Sequence, residues 1–265
     1  MESREATSYL TPFKPDSRPV FWFNDSFPAN AWSRPHTHAW GELVYVSKGN
    51  IVVCTSSGNW LAPPHRAVWI PSGLEHNWYL PCESRDCSLW IDQRILMSVE
   101  RFKRCHVMEV SPLLREMLLY ISPKPCRDVD GPLGRLVLAM LDQLLEQPEI
   151  SEPLAMPGDR RLVELCTALL TAPGEDVPLN EWAARLGMSE RNLGRVFRRE
   201  TGASFRDWRK TQRMEAAIGR LRQGESVTAV AIDCGYTSVS AFICAFRQSF
   251  GLTPGKIRDG APINK

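Results

Sequence analysis

The last third of the chain repeats itself, and the repeat leaves few folds open. Leu179, Trp182, Ala183 and Leu186 recur 48 residues later as Val227, Val230, Ala231 and Cys234, and Gly187 and Gly235 follow at the same offset. Apolar residues at this spacing form one stripe of a helix, and the glycine behind them ends it. A second match sets "LGRVFRRETG" (193–202) against "FICAFRQSFG" (242–251) at an offset of 49, so the second copy has one more residue in its turn. Each copy is therefore predicted to be a short helix, a glycine-containing turn and a second helix capped by Ser189 or Ser238. Between them "SFRDWRKTQRMEAAIGRLRQ" (204–223) reads as one long helix.

The outward side of these helices carries the function. If Leu193, Val196 and Phe197 turn inward, then Arg191, Arg195 and Arg198 line the opposite face at i, i+4 and i+7. An arginine stripe on the second helix of a helix-turn-helix suits the major groove, where a guanidinium can grip guanine through two hydrogen bonds. A basic face can also be merely solvated. The duplication favours DNA, because a long linking helix can space two reading helices about 34 Å apart, one turn of the duplex. Charge agrees: residues 177–265 carry 15 Lys/Arg against 8 Asp/Glu, whereas residues 1–176 carry 17 against 22. A double-stranded operator is the expected partner. The candidate contacts are Arg191, Asn192, Arg195 and Arg198 in the first copy and Ser238, Ser240, Cys244 and Arg247 in the second.

The segment from about 178 to 260 resembles the DNA-binding domain of the AraC/XylS family of bacterial transcription regulators, most closely over "VTAVAIDCGYTSVSAFICAFRQSFGLTPGKIR" (227–258). The resemblance implies seven helices and two helix-turn-helix units bridged by a central helix. It puts base-reading positions on Arg191, Gly194 and Arg195, and on Val239, Ser240, Ala241 and Cys244. Cys244 departs from many members of the family. A thiol cannot make a bidentate base contact, so sequence preference is expected to come mainly from the first unit.

Up to about residue 92 the chain consists of short β-branched and aromatic runs, "ELVYV", "NIVVCTS", "RAVWIP", "HNWYL" and "SLWID", and seven of the nine tryptophans precede residue 91. This is the pattern of an antiparallel sandwich or barrel. Within it His36, His38, Glu42 and Gly49 resemble the first cupin motif, H-x-H-x(3)-E-x(6)-G, and "PSGLEH" (71–76) resembles the second, ending at His76. In an extended segment residues 36, 38 and 42 share parity and point to one face. Three imidazoles and a carboxylate suit one divalent transition metal, Zn, Mn, Fe, Ni or Cu. The same histidines could instead hydrogen-bond a ligand without metal. Trp40, Tyr45, Trp69 and Trp78 offer either a ligand lining or core packing, and Cys82 and Cys87 follow His76 closely enough to weigh as further ligands.

From about 93 the pattern turns helical, in "PLLREMLLYI" (112–121), 133–147 and 159–171, separated by proline-rich loops. The expected organisation is α+β and multidomain: a cupin-like β-barrel sensor (1–92), a helical connector (93–174) and an all-α double helix-turn-helix domain (175–265). Helix 133–147 has an apolar face wide enough to pack on the barrel or on a second subunit, and a homodimer is expected. Eight cysteines without a C-x-x-C pair suit a reducing compartment and read mostly as small core residues. "MESREATSYLTPFKPDSRPV" has no apolar run, and no stretch of 18 apolar residues occurs, so a cytoplasmic protein without a membrane partner is expected. The function these features imply is a one-component regulator, not an enzyme, whose cupin-like domain senses a small molecule or metal. The alternative is a metal-dependent cupin oxygenase or isomerase fused to a DNA-binding module.

Overall fold

The computed structural model describes residues 20–96, 98–124, 131–151 and 153–261. The N-terminal stretch read as lacking an export signal, the middle of the loop after residue 124 and Cys126 within it lie outside the described residues. The chain divides into two compact units, Met1–Pro153 and Leu154–Lys265, where the sequence reading has three segments.

Among its described residues the first unit holds eleven strands: β1 (Val20–Trp22), β2 (Asp25–Phe27), β3 (Gly41–Val44), β4 (Val46–Lys48), β5 (Ile51–Thr55), β6 (Gly58–Ala62), β7 (Arg66–Ile70), β8 (His76–Tyr79), β9 (Ser84–Asp86), β10 (Leu89–Ile91) and β11 (His106–Glu109). They form an antiparallel five-stranded sheet in the order β1-β10-β3-β7-β11 and two three-stranded sheets, β2-β9-β4 and β6-β5-β8. Strand alternation sorts the five-stranded sheet into two faces. Leu43, Ala67, Trp69, Leu89, Ile91 and Met108 turn to one side, and Val44, Val68, Ile70 and Val107 turn to the other, the interior they share with Val46, Val53 and Phe27.

The outer face is covered by helices, and this moves a boundary. After the short α1 (Gln93–Leu96), β11 returns to pair with β7, and α2 (Pro112–Ile121) and α3 (Gly131–Glu146) pack on the sheet. Ser111 caps α2 by accepting from the Leu114 amide, with Pro112 in the first turn. Val137, Met140, Leu141 and Leu144 of α3 join Trp69 and Leu43 in one buried cluster. Each side chain of that size contributes about 1.5–3 kcal/mol by leaving water. Arg101 donates to the carbonyls of Gln147 (2.7 Å), Leu144 (3.3 Å) and Leu145, satisfying the open end of α3. The apolar face expected to serve either the barrel or a second subunit is thus core, and residues 93–151 extend the β unit instead of forming a separate connector.

Among its described residues the second unit contains seven helices: α4 (Arg160–Thr171), α5 (Leu179–Arg185), α6 (Glu190–Thr201), α7 (Phe205–Arg222), α8 (Val227–Asp233), α9 (Val239–Phe250) and α10 (Pro254–Arg258). The repeat appears as α5–α6 and α8–α9. Ser189 accepts from the Asn192 amide and Ser238 from the Ala241 amide, and both second helices end on a left-handed glycine, Gly202 and Gly251. Phe197 packs edge-on against Phe205 and Trp208, and Phe242, Phe246 and Phe250 join Ile218 and Leu221 of α7 in the second half. The central helix also carries polar ties, with Trp208 Nε1 donating to Ala155 O (2.7 Å) and Gln212 Nε2 to Leu169 O (3.0 Å). The α+β architecture is as expected. Among the described residues no helix is long and apolar enough to cross a membrane.

Candidate functional site

Glu42 lies on β3 with the parity of Val44, and His76 opens β8 with the parity of Trp78, so both face the interior of the first unit. His36 exchanges two backbone hydrogen bonds with His76, at 2.9 and 3.0 Å. The segment from His36 to Glu42 is not one extended strand as the parity argument required; a bend at Ala39–Trp40 intervenes, and the Gly73 amide, donating to His38 O at 2.9 Å, ties the two motifs together. Gly49, the last position of the first motif, has φ +84°, and a Cβ there would stand 2.2 Å from Ser84 Oγ. Only glycine fits.

The four expected side chains converge: one ligand atom from each of His36, His38, Glu42 and His76 lies within 4.8 Å of all the others. Each histidine spends Nδ1 on a main-chain carbonyl, His36 on Arg34 (2.9 Å), His38 on Trp40 (2.6 Å) and His76 on Leu74 (2.9 Å). A carbonyl can only accept, so each Nδ1 carries a proton and each Nε2 is left for the interior. Glu42 Oε2 stands 3.0 Å from His38 Nε2 and 3.3 Å from His76 Nε2. The second distance is an ion-pair approach without hydrogen-bond alignment, and the buried His76 Nε2 has no hydrogen-bond partner. Burial lowers the His36 pKa. For His38 burial acts downward but the hydrogen bond and charge of Glu42 raise it, and for Glu42 burial acts upward but the His38 and His76 contacts bring it down to about 2. His38 Nε2 donates to the Glu42 carboxylate, a proton that a bound cation would replace, and the donor set fits a transition metal held by three imidazoles and one carboxylate.

Of the four aromatics named from sequence, only Trp78 packs with the interior cluster. Tyr45 and Trp69 belong to the helix-covered face, their odd positions putting them with Leu43 and Ala67, and Trp40 meets Phe21 edge-on at 5.2 Å. Rings missed by sequence take their place. Trp90 is the cross-strand partner of Glu42, and a chain of rings runs Trp90–Phe23 (6.1 Å), Phe23–Phe27 (6.3 Å) and Phe27–Trp78 (5.5 Å), from beside Glu42 to beside His76. Asp86 was also missed; it pairs with Val46, accepts from Ser88 Oγ at 2.6 Å, and burial pushes its carboxyl up to about 7. Cys82 and Cys87 are not part of the cluster: Cys87 is buried beside Ser122 Oγ (3.4 Å) and Cys82 Sγ accepts from Asn50.

In the second unit Leu193, Val196 and Phe197 are buried, while Arg191, Asn192, Arg195 and Arg198 are exposed on the opposite side of α6. Arg195 Nη2 donates to Asn192 Oδ1 at 2.9 Å, which braces the guanidinium along the exposed face of α6. On α9, Ser238, Ser240, Cys244 and Arg247 are likewise exposed, Ser238 through a hydroxyl already engaged as the cap. Gln248, one turn beyond Cys244 and donating to its Sγ at 3.8 Å, stands on the same face. Its i, i+4 spacing from Cys244 is the signal that could have found it.

A doubled helix-turn-helix with a basic outer face defines a DNA-binding protein, and comparison with known proteins agrees. A family model described as a helix-turn-helix domain matches residues 182–260. The HTH-type transcriptional regulator NimR of Escherichia coli K12 is 33% identical over 222 residues, covering 83% of this chain and 80% of NimR. The HTH-type transcriptional activator RhaR of Klebsiella pneumoniae is 24% identical over 271 residues, covering 93% of this chain and 94% of RhaR. Among solved structures, the DNA-binding domain of AdpA in complex with a target DNA is 34% identical, covering 36% of this chain and 87% of that one, with a TM-score of 0.35. The chain belongs to the AraC/XylS family and is a DNA-binding transcription regulator.

Proposed function

We propose that the first unit is a cupin-like sensor that holds a divalent transition metal between His36, His38, Glu42 and His76, and that its occupancy controls operator binding by the second unit. The observation that carries this is the convergence of four ligand atoms within 4.8 Å, with the second nitrogen of each histidine tied to a carbonyl. Such second contacts fix ring orientation and tautomer before the ion arrives. When bound, the metal supplies a Lewis-acidic position to which an effector's heteroatom can bind. The rings of Trp90, Phe23, Phe27 and Trp78 offer an apolar wall for the rest of that small molecule, and Asp86, across from Val46, a polar group.

The regulator works in the cytoplasm as a homodimer. Leu113, Tyr120 and Leu138, which are 54%, 57% and 58% exposed on the outer side of α2 and α3, are the surface offered to the second copy. Elemental analysis of the purified chain tests the metal site. About one transition-metal ion per chain is expected, and His76→Ala, which removes a buried ligand, is expected to reduce affinity by at least the 10–100-fold that lost outer-shell partners cost. Metal-free protein that takes up no Zn, Mn, Fe, Ni or Cu on titration would refute the site.

A further inference from the structure

The second unit carries a cleft that neither reading helix accounts for. About 590 Å³ in volume, it lies between α7 and the turn entering α9, lined by Arg206, Arg209, Lys210 and Arg213 on one wall and Gly235, Tyr236 and Thr237 on the other. The four cations stand at i, i+3, i+4 and i+7, one stripe of α7. Two of them have structural work. Arg213 Nε donates to Pro173 O (3.1 Å) and Arg209 Nη1 to Val177 O (2.9 Å), and both approach Asp176 Oδ1 at 3.2 Å. These contacts hold the 173–177 segment against α7, and the α8–α9 turn approaches the same segment closely: a Cβ on Gly235, whose φ is +79°, would meet Gly174 O at 2.8 Å.

The other cations are uncommitted. Arg206 and Lys210 are exposed, and among the described residues neither forms an ion pair. Arg209 is only 8% exposed, yet its Nε has no hydrogen-bond partner, and its Nη2 approaches Asp176 without hydrogen-bond alignment. A buried guanidinium N–H left open costs stability unless an acceptor completes it. The cleft's two carboxylates leave that Nε open: Asp207 is engaged by Ser204 Oγ at 2.6 Å, and Asp176 Oδ1 faces Arg209 Nη2 and Arg213 Nη2, each at 3.2 Å.

We propose that this cleft binds one phosphate group of the DNA backbone, held by Arg206 and Lys210 with Arg209 Nε behind them and the Thr237 hydroxyl opposite. A phosphodiester offers several acceptor oxygens on a single negative charge, which suits a cationic cleft with hydroxyl and guanidinium donors. DNA is the source because Thr237 directly precedes Ser238, the cap of α9, so this wall is continuous with the exposed first turn of a reading helix. Phosphates flank the groove that such a helix enters, and contacts to them fix register without reading sequence.

The inference rests on the DNA-binding reading, and the experiment separates the two. The full chain is titrated with a pool of random-sequence duplexes between about 50 and 200 mM salt. The double variant Arg206→Gln/Lys210→Gln should reduce the slope of log affinity against log salt by about one, with the base preference selected from the pool unchanged. The charge-keeping variant Arg206→Lys/Lys210→Arg should retain the slope. An unchanged slope in the glutamine variant, or a slope loss accompanied by altered base preference, overturns the proposal. Inorganic phosphate titrated calorimetrically against DNA-free chain provides the second arm. Saturable binding that the glutamine variant abolishes while its DNA slope stays unchanged marks a free-anion site and overturns the assignment to the backbone. Failure of the unmodified chain to bind the pool at all would contradict the DNA-binding reading itself.

Discussion

Leu141→Glu is expected to unfold the first unit. Leu141 is 5% exposed in the cluster that α3 shares with Leu43, Trp69 and Met108, and a carboxylate placed there stands among apolar side chains. An unpaired buried charge on top of a lost core side chain costs more than about 4 kcal/mol, a large share of the stability of an ordinary domain. The expected result is insoluble protein or loss of the unit's thermal transition. Leu138→Glu, one turn earlier on the same helix but 58% exposed, should stay within about 0.5 kcal/mol of the original stability. On sizing it should also run as a monomer, because it charges the surface offered to a second copy. A folded, monomeric Leu141→Glu protein would place the subunit contact on the inner face and contradict the packing described.

This helix marks the limit of what the sequence discloses. Its apolar stripe was legible from periodicity, but a stripe does not name the surface that covers it. Here the partner is a sheet whose last strand, β11, arrives after the residue at which the β pattern ends, so the connector could not be told from the domain it belongs to. Tyr45 and Trp69 show the same limit at strand scale. Their type left ligand lining and core packing both open, and it is their odd positions, turned away from Glu42 and Val44, that make them core, which only the register discloses. The histidine motifs were legible because their spacing survives the bend at Ala39–Trp40; the ring chain from Trp90 to Trp78 was not, since it joins residues of separate sheets. The helix-turn-helix pairs were the clearest part, as caps, glycines and apolar stripes are all local signals.

Replacing Arg195 by alanine should relax base preference in one half of the operator, and Cys244→Ala should change it little. Arg195 projects from α6 with its Nη2 steadied by Asn192 Oδ1 and its remaining N–H groups free to meet a guanine edge. A bidentate contact of that kind carries roughly 1–3 kcal/mol of discrimination, about five- to 150-fold. Cys244 stands on the corresponding face of α9 with only a weak donor to offer, and Arg247 beside it can add phosphate affinity without base choice. Selection from randomised duplexes at fixed salt reads the difference. Equal loss of preference from both substitutions, or none from Arg195→Ala, would refute the unequal division of reading between the two helix pairs.

The central claim is that occupancy of the four-ligand site governs DNA binding. The most direct measurement is the affinity of the full chain for a duplex selected from a randomised pool, taken on chelated protein and again after reloading with the metal found by elemental analysis. Coupling between sites of about 1–3 kcal/mol predicts a five- to 150-fold difference between the two states, absent in His76→Ala and absent on random-sequence DNA. Stoichiometric metal uptake with the same affinity before and after reloading would contradict the account.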